Sequence, residues 1–307
     1  MTVSAPAIKP VDRVTARMAT VYGRWTRHTT LAQMRADWEG AYPANVPGYC
    51  EPVDAGGVPA AWIGDATLPT DRVILFLHGG GFRMGSIASH RDLCFRIAKA
   101  TGCRALSLAY RLAPEHPFPC ALDDALAAYL WLLAEGYAAS TIVIAGDSAG
   151  GGLAISLMAA LRERAIALPA AAALLSPWVD MTASGDSYQT RAAVDPVHQR
   201  AMVRILSKIY LAGADPSDPR ASPLLADLAG LPPLLIQAGD HETILDDATR
   251  LAARARDFGV VVTLEIYPGM IHVFQMYADD LPDARTAITT IGSFLAQHTH
   301  PPTEPAP

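Results

Sequence analysis

Short runs of uniformly apolar residues, alternating with helical patterns, constrain the fold of this chain most strongly. These runs are residues 73–77, 104–109, 142–145, 171–175, 234–238 and 261–267, and the helical patterns between them include residues 91–100, 122–134 and 244–258. Strands that are apolar throughout are covered on both faces, which predicts a mostly parallel central sheet flanked by helices, an α/β fold. In such sheets the active site lies at the carboxyl ends of the strands.

The composition limits the classes of protein that this chain can represent. Its 307 residues are 51% hydrophobic, enough for one large core, and the net charge of −6 argues against a nucleic-acid partner. No membrane span is expected, because the most apolar stretch, 165–178, is broken by Pro169 and Pro177. The N-terminal residues lack a signal-peptide pattern, and the four cysteines form no CxxC pair. We therefore expect a cytoplasmic protein with reduced thiols.

The segment Gly146-Asp147-Ser148-Ala149-Gly150 follows the apolar run 142–145 and precedes a small-residue segment that is typical of a helix. A sharp strand-to-helix turn strains the backbone at the serine, so the residues two before and two after it must be small. The pattern indicates a nucleophile elbow with Ser148 at its tip. The alternative is an ordinary glycine-rich turn.

A serine nucleophile needs a histidine base, and the base needs an acid that orients it. Proteins with a nucleophile elbow carry these residues in the order serine, acid, histidine. His272 follows the apolar run 261–267, whereas His298 and His300 lie near the end of the chain. The order and position therefore predict His272 as the base.

The acid is expected in the loop after residues 234–238, where Asp240 and Glu242 are both candidates. Asp246 and Asp247 are expected inside the following helix. His241-Glu242 begins like the helix of a zinc protease, but no second histidine follows four residues later, so we expect no metal.

The segment 78–82, His-Gly-Gly-Gly-Phe, directly follows the apolar run 73–77. Glycines let backbone N–H groups approach a ligand closely, as an oxyanion hole requires. A phosphate-binding loop is the alternative, but the segment lacks the Gly-Lys-Ser/Thr ending, and it does not fit a dinucleotide-binding fingerprint either.

These motifs together resemble the hormone-sensitive-lipase-like family, the class IV bacterial esterases of the α/β-hydrolase superfamily. The resemblance covers roughly residues 58–297. It rests on residues 78–82, 110–115, 123–124, 146–151, 176–178 and 195–196, with Glu242 and His272.

The resemblance implies a role for each matching position. Ser148 would be the nucleophile and His272 the general base, and the amides of Gly80, Gly81 and Ala149 would form the oxyanion hole. The supporting residues of the two motifs would be His78, Gly79 and Asp147.

The acid position departs from the commonest family pattern. Many members carry an aspartate in an Asp-Pro-Leu motif that this chain lacks. Alignment from Pro232 through the following strand places Glu242 at that position, and a subgroup of the family has glutamate there. The resemblance therefore favours Glu242 over Asp240.

Two amphipathic patterns, residues 11–38 and 197–211, lie outside the strand–helix alternation and are either surface helices or a lid. The resemblance implies a helical cap built from residues 1–45 and an insertion near 185–220, on a catalytic domain of residues 46–298. Residues 299–307, rich in proline, are expected to be a flexible tail. Many family members form homodimers, so a homodimer is possible.

The sequence thus predicts a carboxylic ester hydrolase that acts on short-chain acyl esters through a serine acyl-enzyme, without a cofactor. Its expected partner is a small-molecule ester. A lactone hydrolase or an amide deacetylase with the same three residues is the alternative, because the acyl-transfer chemistry is shared. A non-catalytic small-molecule binding protein is a third hypothesis, which the presence of Ser148, Glu242 and His272 disfavours.

Overall fold

A computed structural model of the chain describes residues 9–42, 46 and 48–299. Its strands are β1 (Tyr49–Asp54), β2 (Pro59–Gly64), β3 (Val73–Leu77), β4 (Arg104–Leu108), β5 (Ile142–Asp147), β6 (Ala171–Leu175), β7 (Leu234–Gly239) and β8 (Val262–Tyr267). Its α-helices are α1 (Pro10–Tyr22), α2 (Leu31–Ala41), α3 (Ile87–Thr101), α4 (Cys120–Ala134), α5 (Ala149–Glu163), α6 (Ser187–Thr190), α7 (Arg200–Leu211), α8 (Leu245–Asp257) and α9 (Pro282–His298).

The described strands form one sheet in the order β1-β2-β4-β3-β5-β6-β7-β8. Strands β3 to β8 are parallel, whereas β2 pairs antiparallel with both β1 and β4. The predicted α/β-hydrolase fold with a mostly parallel sheet is confirmed. All six predicted strands are present. The strand β1 was not predicted because it is partly exposed and lacks a uniformly apolar run, and β2 was not predicted although residues 60–64 are buried.

Helices cover both faces of the sheet. Successive residues of β3 point into opposite cores: Leu75 packs with residues of α4, α5 and α8, and Phe76 packs with residues of α1, α3 and α9. Every residue of β3, β5, β6 and β7 is buried. This two-sided burial explains why these strands are apolar throughout, and it leaves the carboxyl ends of the strands as the edge where polar loops gather.

The N-terminal helices lie over this edge but are also anchored in the protein. Val14 and Met18 of α1 are buried in the core, so this helix is a packing element as well as a candidate lid. Arg35 of α2 forms an ion pair with Glu115 at 2.7 Å and donates to the carbonyl of Arg83 at 3.0 Å. The assignment of residues 1–45 to a cap stays a prediction, and residues 1–8 and 43–45 lie outside the described residues.

The C-terminal boundary differs slightly from the expected one. Thr299, which was expected to begin the flexible tail, is buried, and its hydroxyl donates to the carbonyl of Leu295 at 3.0 Å. This residue therefore belongs to the end of α9. The remainder of the predicted tail, residues 300–307, lies outside the described residues.

Candidate active site

Ser148 occupies the turn between β5 and α5, with φ 50° and ψ −118°. A non-glycine residue in such a conformation costs on the order of 1–3 kcal/mol, so the surroundings must hold it. The Ser148 N–H donates to the carbonyl of Leu175 at 2.8 Å, and its carbonyl accepts from the N–H of Trp178 at 2.9 Å. A Cβ atom at Gly150 would collide with the backbone of Leu77, which explains the small residue at this position. The serine is thus fixed at the carboxyl end of β5.

Glu242 and His272 meet through a direct hydrogen bond. The Oε2 atom of Glu242 lies 2.8 Å from Nδ1 of His272, and Glu242 is fully buried. Its other oxygen, Oε1, accepts from the hydroxyl of Ser176 at 2.7 Å and from the N–H of Gly239. With Nδ1 directed at the carboxylate, the remaining ring nitrogen, Nε2, is the one available for proton transfer.

Asp240 has a different set of contacts. Its Oδ1 atom accepts from the N–H of Gly269 at 2.6 Å, and its side chain is about one-third exposed. Its own N–H donates to the carbonyl of Tyr267 at 3.1 Å. These bonds tie the loop after β7 to the loop after β8. Of the two candidate acids, the structure brings only Glu242 into contact with His272.

Burial and the Glu242 carboxylate act on His272 in opposite directions. Burial lowers the pKa of the imidazole, because it penalises the charged form. The hydrogen bond and the negative charge of Glu242 outweigh burial, and the pKa of His272 is raised above its ordinary value. The site therefore favours the imidazolium form, which a general base passes through during proton transfer.

The glycine-rich loop after β3 lies beside Ser148. Gly80 and Gly81 have φ values of 112° and 63°, in the region that favours glycine, and both line the same cavity as Ser148 and His272. Ala149 is the first residue of α5, where backbone N–H groups lack partners within the helix. The structure thus brings together the three residues that were predicted as an oxyanion hole.

Asp147 and His78 contact Gly79 in this loop. Oδ1 of Asp147 accepts from the N–H of Gly79 at 2.9 Å, and Nδ1 of His78 lies 2.7 Å from the carbonyl of Gly79. The His78 ring stacks on Tyr110 with the centroids 4.2 Å apart. Burial and the neighbouring His90 lower the pKa of His78 to about 3, so this imidazole is neutral at pH 7. These contacts hold the loop in place, and Asp147 also lines the cavity that contains Ser148.

Two polar residues of this site were not assigned roles from the sequence. The Ser176 hydroxyl, besides donating to Glu242, accepts from the N–H of Val273 at 3.1 Å, so it joins the acid to the residue after the histidine. The ring of His198 packs edge-to-face against His272 at a centroid distance of 4.4 Å. Ser176 lies in the segment 176–178 on which the family resemblance rests, whereas no sequence motif included His198.

Asp195 connects the His198 segment to the loop of the acid. Its Oδ2 atom accepts from the N–H and the hydroxyl of Thr243 at 2.7 and 3.0 Å, and its Oδ1 atom accepts from the N–H of His198 at 2.8 Å. Burial and the nearby His272 lower the pKa of His198 to about 4. This second imidazole is therefore neutral at pH 7 and adds no charge next to His272.

A cavity of about 160 Å³ opens onto Ser148 and His272. The N-terminal segment and α7 supply part of its lining, and that part is rich in aromatic and methionine side chains. These are Met18, Tyr22, Trp25, Met34, Trp38, Tyr42, Met202 and Leu206. The geometry is that of a hydrolase with a serine nucleophile and an apolar substrate site.

Comparison with known proteins supports this class. The model of an α/β-hydrolase fold family matches residues 74–276. The chain also superposes on the crystal structure of an esterase from the bacterial hormone-sensitive lipase family with a TM-score of 0.92 and 44% identity, covering 97% of this chain and 100% of that one. The chain therefore belongs to the bacterial hormone-sensitive lipase family of α/β-hydrolases.

Two relatives of this chain are named for ester hydrolysis or acetyl hydrolysis. An acetyl-hydrolase of Streptomyces hygroscopicus is 45% identical over 243 residues, which cover 79% of this chain and 81% of the relative. An ethyl acetate hydrolase of Pseudomonas putida is 32% identical over 231 residues, which cover 73% of each. The predicted resemblance and the predicted enzyme class, a carboxylic ester hydrolase, are confirmed. Among the described residues, no helix combines the length and apolar character that crossing a membrane requires.

Proposed function

We propose that this protein hydrolyses esters of short acyl groups through a covalent acyl-enzyme on Ser148. The observation that carries the proposal is the 2.8 Å bond between Glu242 and His272, at a cavity that also contains Ser148 in its strained turn. A nucleophile, a base and an orienting acid in this arrangement are what acyl transfer requires.

Each residue has a distinct role in the proposed reaction. The Ser148 hydroxyl attacks the ester carbonyl while Nε2 of His272 takes its proton, and the imidazolium then passes that proton to the leaving alcohol. Glu242 stabilises the imidazolium. Water attacks the acyl-enzyme by the same route in reverse and releases the carboxylic acid.

The oxyanion that forms during each attack needs donors already in position. We assign this role to the N–H groups of Gly80, Gly81 and Ala149. The bonds of Gly79 to Asp147 and His78 support the assignment, because a rigid loop needs no rearrangement during the reaction. Loss of one such donor costs about 100- to 1,000-fold in kcat.

The preference for short acyl groups rests on the cavity and on the relatives. A volume of about 160 Å³ with an apolar wall fits a short alkyl chain better than a long one. The two relatives are named for acetyl and ethyl acetate hydrolysis. We assign the helices α1, α2 and α7, whose apolar side chains line this cavity, to a cap over it. A homodimer and a cytoplasmic location stay predictions.

Substitution of the nucleophile tests the proposal. Ser148→Ala is expected to fold and to lose several orders of magnitude in kcat on p-nitrophenyl acetate, because alanine fits the turn but has no hydroxyl. A fluorophosphonate probe should label the wild-type protein at Ser148 alone, as mapped by peptide mass spectrometry. An active alanine variant, or labelling at another residue, would refute the assignment.

The same protein preparation can separate the possible substrate classes. A panel of acetate and butyrate esters, γ- and δ-lactones and N-acetyl amides should show the highest kcat/KM on the esters. Higher kcat/KM on lactones or amides would assign the same residues to the alternative reactions.

A further inference from the structure

The active-site cavity and a second cavity share a wall of three residues. Tyr42, Met276 and Tyr277 line both the cavity of about 160 Å³ at Ser148 and a neighbouring cavity of about 530 Å³. Tyr42 follows the C-terminus of α2, and Tyr277 ends a short 3₁₀ turn after His272. The wall is therefore built from the N-terminal segment on one side and the catalytic loop on the other.

Hydrogen bonds between the two tyrosines keep this wall closed. The hydroxyl of Tyr277 lies 3.0 Å from that of Tyr42, whose own hydroxyl donates to the sulfur of Met18 at 3.3 Å. The two ring centroids are 6.1 Å apart. Because the hydroxyl groups bond to each other and to Met18, the wall presents mainly ring surface to a substrate.

The space beyond the wall differs in polarity from the active-site cavity. Arg17 forms an ion pair with Asp280 at 2.7 Å, and its guanidinium carbon lies 5.8 Å from the centroid of the Tyr277 ring. Thr20, Arg24, Asp92 and Asp279 also line the second cavity. A chain that passed the wall would thus enter a larger volume that has an apolar entrance and polar sides.

We infer that Tyr42 and Tyr277 form the end of the acyl-chain site and set the length of acyl chain that the enzyme accepts. This inference rests on the proposed function, since it concerns the substrate of the same Ser148. Removing the Tyr42 ring joins the two cavities and provides room for additional methylene groups. Each methylene newly buried in a binding site favours binding by about fourfold.

The test is the ratio of kcat/KM for p-nitrophenyl octanoate to that for p-nitrophenyl acetate. In Tyr42→Ala this ratio is expected to rise about 15-fold, which corresponds to two additional buried methylenes. Tyr42→Phe keeps the ring and loses only the hydroxyl bonds to Tyr277 and Met18, so its ratio should rise less than that of Tyr42→Ala. Tyr137→Ala is a matched control, because that tyrosine bonds to Arg104 and lines neither cavity.

A second substitution tests whether the chain enters the second cavity. Thr20 is exposed and, of the two cavities, lines only the second, so Thr20→Trp should reduce the volume open to an acyl chain there. In the Tyr42→Ala background, Thr20→Trp is expected to return the octanoate-to-acetate ratio toward the wild-type value. In the wild-type background, where the wall is closed, it should leave the ratio unchanged.

Several outcomes would overturn the inference. A folded Tyr42→Ala variant with the wild-type ratio would show that the wall does not limit the acyl chain. A gain in the octanoate-to-acetate ratio that Thr20→Trp does not reverse would indicate a general loosening of the structure. A gain seen only with a parallel series of alkyl acetates would show that the alcohol part of the substrate occupies this site. If Tyr42→Ala does not fold, Tyr42→Leu carries the same prediction. Failure of the wild type on every ester would instead refute the proposed function.

Discussion

Replacement of Glu242 by glutamine tests the role of this residue as the orienting acid and has a predictable structural effect. Oε1 of Glu242 accepts two hydrogen bonds, from Ser176 and from Gly239, whereas Oε2 faces Nδ1 of His272 at 2.8 Å. In Glu242→Gln the amide oxygen must occupy the Oε1 position to keep both donors satisfied. The NH₂ group, which can only donate, then faces Nδ1.

This exchange imposes the wrong tautomer on the histidine. Nδ1 of His272 must accept from the amide, so the ring proton moves to Nε2, and that nitrogen can no longer take the proton of Ser148. The imidazolium also loses its carboxylate partner. The equivalent carboxylate-to-amide change in a serine protease lowers kcat by about 10⁴-fold, and we expect a loss of that order here, or about 5 kcal/mol of transition-state stabilisation.

Asp240→Asn is the matched control, because it makes the same chemical change two residues away. The asparagine oxygen can still accept from the N–H of Gly269, so kcat should stay within about threefold of the wild-type value. Both variants are measured on p-nitrophenyl acetate, with circular dichroism to verify folding. A Glu242→Gln variant within tenfold of the wild type, together with a severely impaired Asp240→Asn variant, would refute the reasoning.

Three further predictions concern pH and hydrogen bonding. The kcat/KM of the wild type should rise with pH through an apparent pKa above the ordinary value of histidine, and a flat profile from pH 5 to 9 would contradict the role of His272. Ser176→Ala should lower kcat about 10- to 100-fold with little change in KM, since one bond to a charged carboxylate is lost; an unchanged kcat would exclude this positioning role. Burial raises the pKa of Asp247 to about 8, so the stability of the wild type relative to Asp247→Asn should fall as pH rises from about 4 to 8. The urea unfolding midpoints of the two proteins measure this, and the same difference between them at pH 5 and at pH 8 would contradict it.

The expected loss of stability at higher pH follows from proton binding by Asp247. Asp247 keeps its proton in the folded protein up to about pH 8, while the same carboxyl ionises near pH 4 in the unfolded chain. Between these values the unfolded state releases a proton that the folded state retains, and a rising pH therefore favours unfolding. Asparagine has no proton to release, so the variant should lack this dependence.

The sequence predicted the sheet well because its central strands are buried on both faces. Burial on both sides requires apolar residues throughout, and that requirement is visible in β3, β5, β6 and β7 without any structure. The residues of β1 are partly exposed, so nothing in their pattern distinguished the strand from a loop. Local spacing therefore identified most of the elements that the core constrains, and it missed the edge strand β1 and the buried strand β2 beside it.

The candidate site shows a similar limit. Strand order and motif spacing predicted Ser148 and His272, because each follows a strand at a position that the fold requires. The contact of Ser176 with Glu242 spans 66 residues, and the packing of His198 against His272 depends on the path of the chain between β6 and β7. Side-chain contacts of this range leave no periodic signal in the sequence, so only the three-dimensional structure reveals them.

The carboxylate of Asp195 has a consequence for engineering of this enzyme. It bonds to the segment that leads into α7 and, through Thr243, to the residue after the catalytic-acid candidate Glu242. A chimera that imports a foreign cap without an acceptor at this position would leave the N–H of the fully buried Thr243 unpaired, at a cost of about 1–3 kcal/mol. The segment between β6 and β7 and the loop after β7 must therefore be transplanted together, because the hydrogen bonds of Asp195 join them.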